Sequence, residues 1–283
     1  MALLLRFAAR LPLPVLHAMG ALLGWAVYGL SPTYRRHLRE NLELAGYRDA
    51  RTRRSAVAAA GRMLAEFPLA WLRPRAEVTA LVRRINGAEH VESARAAGQG
   101  IVFLTPHLGC FEITAQVAAE HFPITVLYRP PKLAWMQPMI EEGRGGDNVR
   151  LASADLAGVR ELLAALKRHE AVGILPDQVP GEGEGEWVEF FGKPAYTMTL
   201  AAKLAQRPNT VCLLAFCERL PRGAGYELHL RPLPPSEPGE DATRRMNRAL
   251  EALIRERPGQ YLWGYNRYKT PRGARSEAVE NQA

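Results

Sequence analysis

From about residue 100 the chain alternates short apolar runs with amphipathic stretches. IVFLT (101–105), ITVLY (124–128), AVGIL (171–175) and VCLLAF (211–216) are apolar or β-branched almost throughout. Each is too short for a helix and reads as a strand buried on both faces. LAGVRELLAALKR (156–168), TMTLAAKLAQR (197–207) and DATRRMNRALEALIRER (241–257) place apolar residues at helical spacing. YELHLRP (226–232) alternates and predicts an edge strand. Strands alternating with helices predict an α/β fold with a mostly parallel central sheet flanked by helices. In such sheets ligands bind beyond the carboxyl ends of the strands.

Upstream the period is helical. Residues 35–84 are Arg-rich, and Leu38, Leu42, Leu44, Met63, Leu64 and Phe67 recur at helical spacing, which predicts core packing. INGAEHVESARAAGQG then gives a turn, a short helix and a Gly-rich exit. Before them, the 24 residues between Arg10 and Arg35 hold no Asp, Glu, Lys or Arg. As one helix they reach about 36 Å, enough to cross a hydrocarbon core. His17, three glycines, Pro12 and Pro14 weaken that span, so spanning, lying in the interface and packing as a soluble hairpin stay open. Arg35, Arg36 and Arg39 follow, as suits a helix end held by anionic head groups. No small-x-small cleavage site follows the run, which favours a retained anchor over a signal peptide. The predicted organisation is a membrane-associated helix over 1–34, a basic helical segment over 35–99, an α/β core over 100–269 and a polar tail over 270–283.

Composition narrows the classes. Of 283 residues, 47% are hydrophobic and 23% charged, which excludes disorder, collagen-like repeats and a coiled coil, and a mean hydropathy of −0.18 argues against a polytopic membrane protein. Cys110, Cys212 and Cys217 do not make a disulfide framework. The net charge of +8 is confined to one region: residues 1–84 hold 14 basic and 5 acidic residues, whereas 85–283 hold 23 and 24. A basic surface meets lipid head groups or nucleic acid. The adjoining apolar run favours a membrane, and the lack of an aromatic-basic RNA motif or helix-turn-helix argues against nucleic acid.

The most suggestive chemistry follows the first strand of the core, in TPHLGCFE (105–112). His107 and Glu112 would lie about 140° apart in one helix. They meet only if His107 sits in the turn and Glu112 in the first helical turn. Glu112 then holds the imidazole N–H, leaving the other nitrogen to take a proton. On spacing alone, a surface or core role for each is the commoner outcome. Cys110 is a possible nucleophile, although a small buried thiol fits better. Arg129 ends the second strand, where a phosphate or carboxylate could bind, and Arg144 follows in IEEGRGG. For both, a surface salt bridge is as good a reading. Asp177 and Gln178 end a strand between prolines, and Phe191, Gly192 and Lys193 offer an apolar groove or simply core. No metal-binding motif, G-x-S-x-G or Gly-rich phosphate loop is present.

Taken together, HLGCFE, LYRPPK, GR, ILPDQ, EFFGKPAYTMTLAAKLA and RERPGQYLWGYNRYK resemble the lipid A biosynthesis acyltransferases of the lysophospholipid (glycerolipid) acyltransferase superfamily. The resemblance runs from the apolar helix to about Lys269. It implies transfer of a fatty acyl chain from acyl carrier protein to a hydroxyl of a lipid A precursor, at the cytoplasmic face of the inner membrane of Gram-negative bacteria. It further implies His107 as general base, Glu112 as its carboxylate partner, Arg144 in oxyanion stabilisation or positioning, and Asp177 in the active-site motif. Arg129, Gln178, Phe191, Gly192 and Lys193 are expected to contact substrate, and no metal or cofactor is expected. Competing readings are an acyltransferase for another amphiphile, a thioester hydrolase and a non-catalytic binder.

Overall fold

A computed structural model describes residues 2–130, 137–146 and 148–271. Pro131, Lys132 and the expected polar tail from residue 272 onward lie outside the described residues. Helix α1 (Ala2–Arg10) and α2 (Leu13–Leu30) lead into α3 (Pro32–Leu44), α4 (Ala50–Leu72) and the short α5 (Arg75–Thr79). Side-chain caps set these boundaries: Ser31 accepts from the Tyr34 N–H with Pro32 at the first helical position, and Asp49 accepts from the Thr52 N–H. Then follow β1 (Val82–Asn86), α6 (Ala88–Ala96), β2 (Gly100–Leu104), α7 (Phe111–His121), β3 (Ile124–Tyr128), α8 (Gln137–Arg144), β4 (Val149–Ser153), α9 (Leu156–Lys167) and β5 (Ala171–Ile174). The chain continues through β6 (Gly185–Phe190), β7 (Lys193–Met198), α10 (Thr199–Ala205), β8 (Thr210–Arg219), β9 (Tyr226–Pro232) and α11 (Ala242–Glu256).

Seven strands form one sheet in the order β1-β9-β8-β2-β5-β3-β4, and all neighbours are parallel except β8 and β9. The expected sheet and flanking helices are therefore present. Besides β4, β6 and β7, which the sequence does not predict as strands, two more differ from the sequence reading. Tyr226–Pro232 is not an edge, because β1 pairs along its outer side. That β1 lies within the stretch read as helical, where Arg83 and Arg84 interrupt any apolar run. The side chains of β2 divide between two layers. Val102 and Leu104 pack with α3, α9, α10 and α11, whereas Ile101 and Phe103 pack with α2, α6 and α7.

Helix α2 and the C-terminal part of α4 are built onto this second layer. Helix α2 buries Leu13, Leu16, His17, Gly20 and Gly24 along one face. Gly61 of α4 meets that face backbone to backbone: a Cβ there would lie 2.0 Å from the Gly20 carbonyl oxygen. The opposite face of α2 is uncovered, with Val15, Met19, Leu22, Leu23 and Leu30 exposed, the last at 85%. Leu44 and Leu64, expected in the core, are also exposed, while Leu38, Leu42 and Met63 are buried as expected.

A charged cluster lies beneath α2. Glu66 of α4 is 1% exposed and receives the Arg219 guanidinium at 2.7–2.9 Å, the His17 imidazole at 2.8 Å and the Tyr226 hydroxyl at 3.0 Å. Burial pushes the Glu66 carboxyl up, but Arg219 and His17 more than offset this and hold it at about 2. Arg219 also donates to the Gly109 carbonyl at 2.8 Å, which joins the cluster to the turn after β2.

Candidate active site

Strands β2 and β5 are adjacent and parallel, with Leu104 opposite Ile174. The third residue past each is His107 and Asp177 respectively, so the two chains leave the sheet side by side with these side chains facing each other. The His107 backbone N–H donates to Asp177 Oδ2 at 2.9 Å, and His107 Nδ1 lies 2.9 Å from Asp177 Oδ1. Asp177 is 2% exposed. Burial pushes its carboxyl up, but the adjacent His107, through charge and both hydrogen bonds, holds it below the ordinary aspartate value. A carboxylate accepting from Nδ1–H fixes the proton on that nitrogen and leaves Nε2 as an acceptor. Gln178 Nε2 lies 3.0 Å from Nε2 and supplies an N–H to it.

The turn carrying His107 is fixed from beneath. Gly109 has φ +63° and a Cβ there would lie 2.0 Å from the Cys217 carbonyl oxygen, so only glycine fits. The Cys110 N–H donates to that same carbonyl at 2.8 Å. From above, the segment after α11 straps the turn: Leu262 N–H donates to His107 O and Gly109 N–H to Gln260 O, each at 3.1 Å. Asn41 of α3 holds the strap through the carbonyls of Trp263 and Tyr265, at 2.7 and 2.8 Å. Cys110 is buried and its thiol is pushed well up by burial, which removes the nucleophile reading.

Glu112 does stand in the first turn of α7, as the spacing required, but it does not hold the imidazole. It forms a two-pronged ion pair with Arg144, through Arg144 Nε to Oε2 at 2.8 Å and Arg144 Nη2 to Oε1. The Trp71 indole N–H also donates to Oε2, at 3.1 Å. The expected His107–Glu112 contact is thus replaced by two separate pairs, His107–Asp177 and Arg144–Glu112. The guanidinium of Arg144 sits 5.6 Å from the ring centres of both Trp71 and Tyr128. Burial lowers its pKa, but the adjacent Glu112 carboxylate more than offsets this and holds it above the ordinary arginine value.

Both pairs open onto one cavity of about 270 Å³. His107, Glu112, Arg144 and Gln178 line one part of it, and Arg129 lies at its exposed margin, 3.8 Å from Glu184. Apart from Thr105, Thr114 and Gln116 the rest of the lining is apolar: Phe103, Ile124, Val126, Leu151 and Gly173 extend it along the sheet. Three expected substrate contacts are elsewhere. Phe191 and Gly192 form the two-residue turn between β6 and β7, with φ +50° and +76°. Phe191 is core, packed on Phe190 and Trp263, and Lys193 lies over the Tyr268 ring. None of the three lines the cavity. Conversely, Trp71 and Tyr128, which the sequence reading did not single out, position Arg144. Among the described residues no group of three or more His, Cys, Asp or Glu is arranged to hold a metal ion.

This chain is similar to several lipid A enzymes. It is 29% identical to the lipid A biosynthesis lauroyltransferase of Escherichia coli (strain K12) over 280 residues, covering 94% of this chain and 90% of that one. With the palmitoleoyltransferase of the same organism it shares 26% identity over 269 residues, 92% and 87% of the two chains. With the myristoyltransferase it shares 25% over 196 residues, 65% and 58%. The profile of the family described as bacterial lipid A biosynthesis acyltransferase matches residues 1–270, strap and N-terminal helices included. The chain therefore belongs to the bacterial lipid A biosynthesis acyltransferases.

Proposed function

We propose that this protein transfers a fatty acyl group from an acyl carrier protein thioester to a hydroxyl of a lipid A precursor, with His107 as general base and Asp177 as its partner. The carrying observation is the His107–Asp177 pair beside a cavity that extends along the sheet between mostly apolar side chains. His107 Nε2 takes the proton of the acceptor hydroxyl as the oxygen attacks the thioester carbonyl. Gln178 holds that nitrogen's place in the resting site and moves aside for the hydroxyl. The developing imidazolium is stabilised by Asp177, and the developing oxyanion by Arg144. Collapse of the tetrahedral intermediate breaks the C–S bond, and the thiolate takes the proton from His107. Glu112 acts one step removed: with Trp71 it aims the guanidinium into the cavity. The acyl chain lies along Phe103, Val126, Leu151 and Gly173.

The uncovered apolar face of α2 supports work at a membrane, and the proposed reaction places the protein on the cytoplasmic side. Helix α4, which packs along α2, carries Arg53, Arg54 and Arg62, a partner unsuited to the hydrocarbon core. We read α2 as seated in the interface with the rest of the enzyme above it. The test is mass spectrometry of a reaction holding purified protein, a mixture of acyl carrier protein thioesters and a lipid A precursor, beside His107→Ala. One added acyl mass with wild type alone is expected. Thioester consumption without acylated precursor would instead indicate another acceptor or hydrolysis, and no consumption would overturn the reading.

A further inference from the structure

A second cavity, of about 860 Å³, adjoins the catalytic one. It lies between α1, the junction of α4 and α5, and the end of α8. Arg6, Arg10, Arg73 and Arg75 line it, against Glu77 as the one acidic lining residue among the described residues. Two of these arginines are structural in part. Arg73 donates to the carbonyls of Ala9 and Leu11, closing the corner between α1 and α2, and Arg75 reaches the Gly145 carbonyl at 3.4 Å. Arg6 and Arg10 are exposed and make no ion pair or hydrogen bond with the described residues. They stand one turn apart on α1, on the side that lines this cavity.

Gln116 of α7 lines both cavities. It is 4% exposed, its amide N–H₂ donates to the Ala70 carbonyl at 2.6 Å, and its Oε1 is buried without a partner among the described residues. A buried acceptor left unsatisfied is costly, and a hydroxyl or amide donor on a ligand would satisfy it. Trp71, whose indole donates to Glu112 of the first cavity, lines the second together with Leu72 and Arg73. Phe7, on the same short helix as the two arginines, is 65% exposed.

We infer that this second cavity binds the phosphorylated head group of the membrane-held acceptor while the acceptor's hydroxyl is presented to His107. The inference rests on the reading that the acceptor is an amphiphile. Guanidinium forks match phosphate oxygens bidentately, Gln116 supplies an acceptor for a neighbouring hydroxyl or amide, and Phe7 places the opening beside apolar surface. An acidic carrier protein is the rival occupant. A recessed cavity with a buried amide suits a small head group better than the flat face of a protein helix.

The test is binding of the full chain to micelles doped with a diphosphorylated glucosamine-disaccharide lipid or with the same lipid stripped of phosphate. Wild type is expected to bind the phosphorylated lipid about tenfold more tightly. Arg6→Ser/Arg10→Ser should lose that preference, and Arg6→Lys/Arg10→Lys should keep most of it. In turnover, the Ser variant should raise KM for the phosphorylated acceptor about tenfold and leave KM for the acyl thioester alone. Equal binding of both lipids by wild type, or a preference surviving in the Ser variant, would overturn the inference. A raised KM for the carrier thioester instead would assign the cavity to the carrier. Because binding is read without catalysis, preference with no acyl transfer would refute the proposed reaction and leave this site standing.

Discussion

Replacing Asp177 by Asn separates the two candidate partners of His107. The carboxylate accepts two hydrogen bonds from His107, one from the backbone N–H and one from the imidazole. An amide of the same shape offers one acceptor and one donor. If its oxygen keeps the backbone N–H, its NH₂ faces Nδ1 and forces the proton onto Nε2, the nitrogen that acts as base in the proposed reaction. The charge is lost as well. A carboxylate and an imidazolium about 4 Å apart attract by about 4 kcal/mol at an effective dielectric of 20. At 1.36 kcal/mol per decade that is roughly 10³ in rate. The expected fall in kcat is therefore about 10²–10⁴, read by mass spectrometry of acylated product at saturating donor and acceptor. Thermal melting of the same sample separates lost chemistry from lost fold. A folded Asp177→Asn protein within tenfold of wild-type kcat would refute the His107–Asp177 reasoning. Glu112→Gln provides the contrast, because it leaves the imidazole's partner in place and disturbs Arg144 only.

Other outcomes follow from the packing and charge. Gly109→Ala drives a Cβ into the Cys217 carbonyl at a left-handed backbone position. It should lower stability by about 2–4 kcal/mol in chemical denaturation. Glu66→Gln uncouples a fully buried pair and should cost about 3–5 kcal/mol in the same measurement. The Glu66 carboxyl is held at about 2 against an ordinary 4.5, so its contribution is complete above pH 4.5 and is lost as pH falls toward 2. Acid titration of unfolding should accordingly be flatter in Glu66→Gln across that window. A Cβ on Gly173 would lie 3.5 Å from Ile124 and Val126, so alanine is accommodated and a longer side chain enters the cavity. Gly173→Leu should shift the product toward shorter acyl chains in a competition among thioesters, and an unaltered product mass would remove this cavity as the acyl site.

The sheet was legible where its strands are apolar on both faces. IVFLT, ITVLY, AVGIL and VCLLAF all lie at interior positions, which is why they read so clearly. The two edges, Val82–Asn86 and Val149–Ser153, carry arginines on exposed positions and gave no comparable signal. The β6–β7 hairpin was hidden because the Gly/Glu run before it looks like loop, and because its turn uses Phe191 where glycine or asparagine would have announced it. In the site, His107 and Asp177 were both identifiable as polar residues at strand ends. Their pairing was not, since they are 70 positions apart and meet only through the register of two parallel strands. The nearer Glu112 looked the better partner on spacing, yet the side chain that neutralises it comes from α8. His17 was read as a flaw in an apolar helix, and only the fold shows that Glu66 receives it.

The chain of contacts from His17 through Glu66 and Arg219 to the Gly109 carbonyl has a practical consequence for handling the enzyme. Membrane-associated helices are commonly deleted to make a protein soluble. Here deletion of residues 1–30 would uncover the Gly61 face of α4, strip Glu66 of one of its partners, and admit water to a cation whose other contact is the turn bearing His107. The shortened protein would gain solubility and lose support for the turn bearing His107, so detergent extraction of the intact chain is the sounder route to an active preparation.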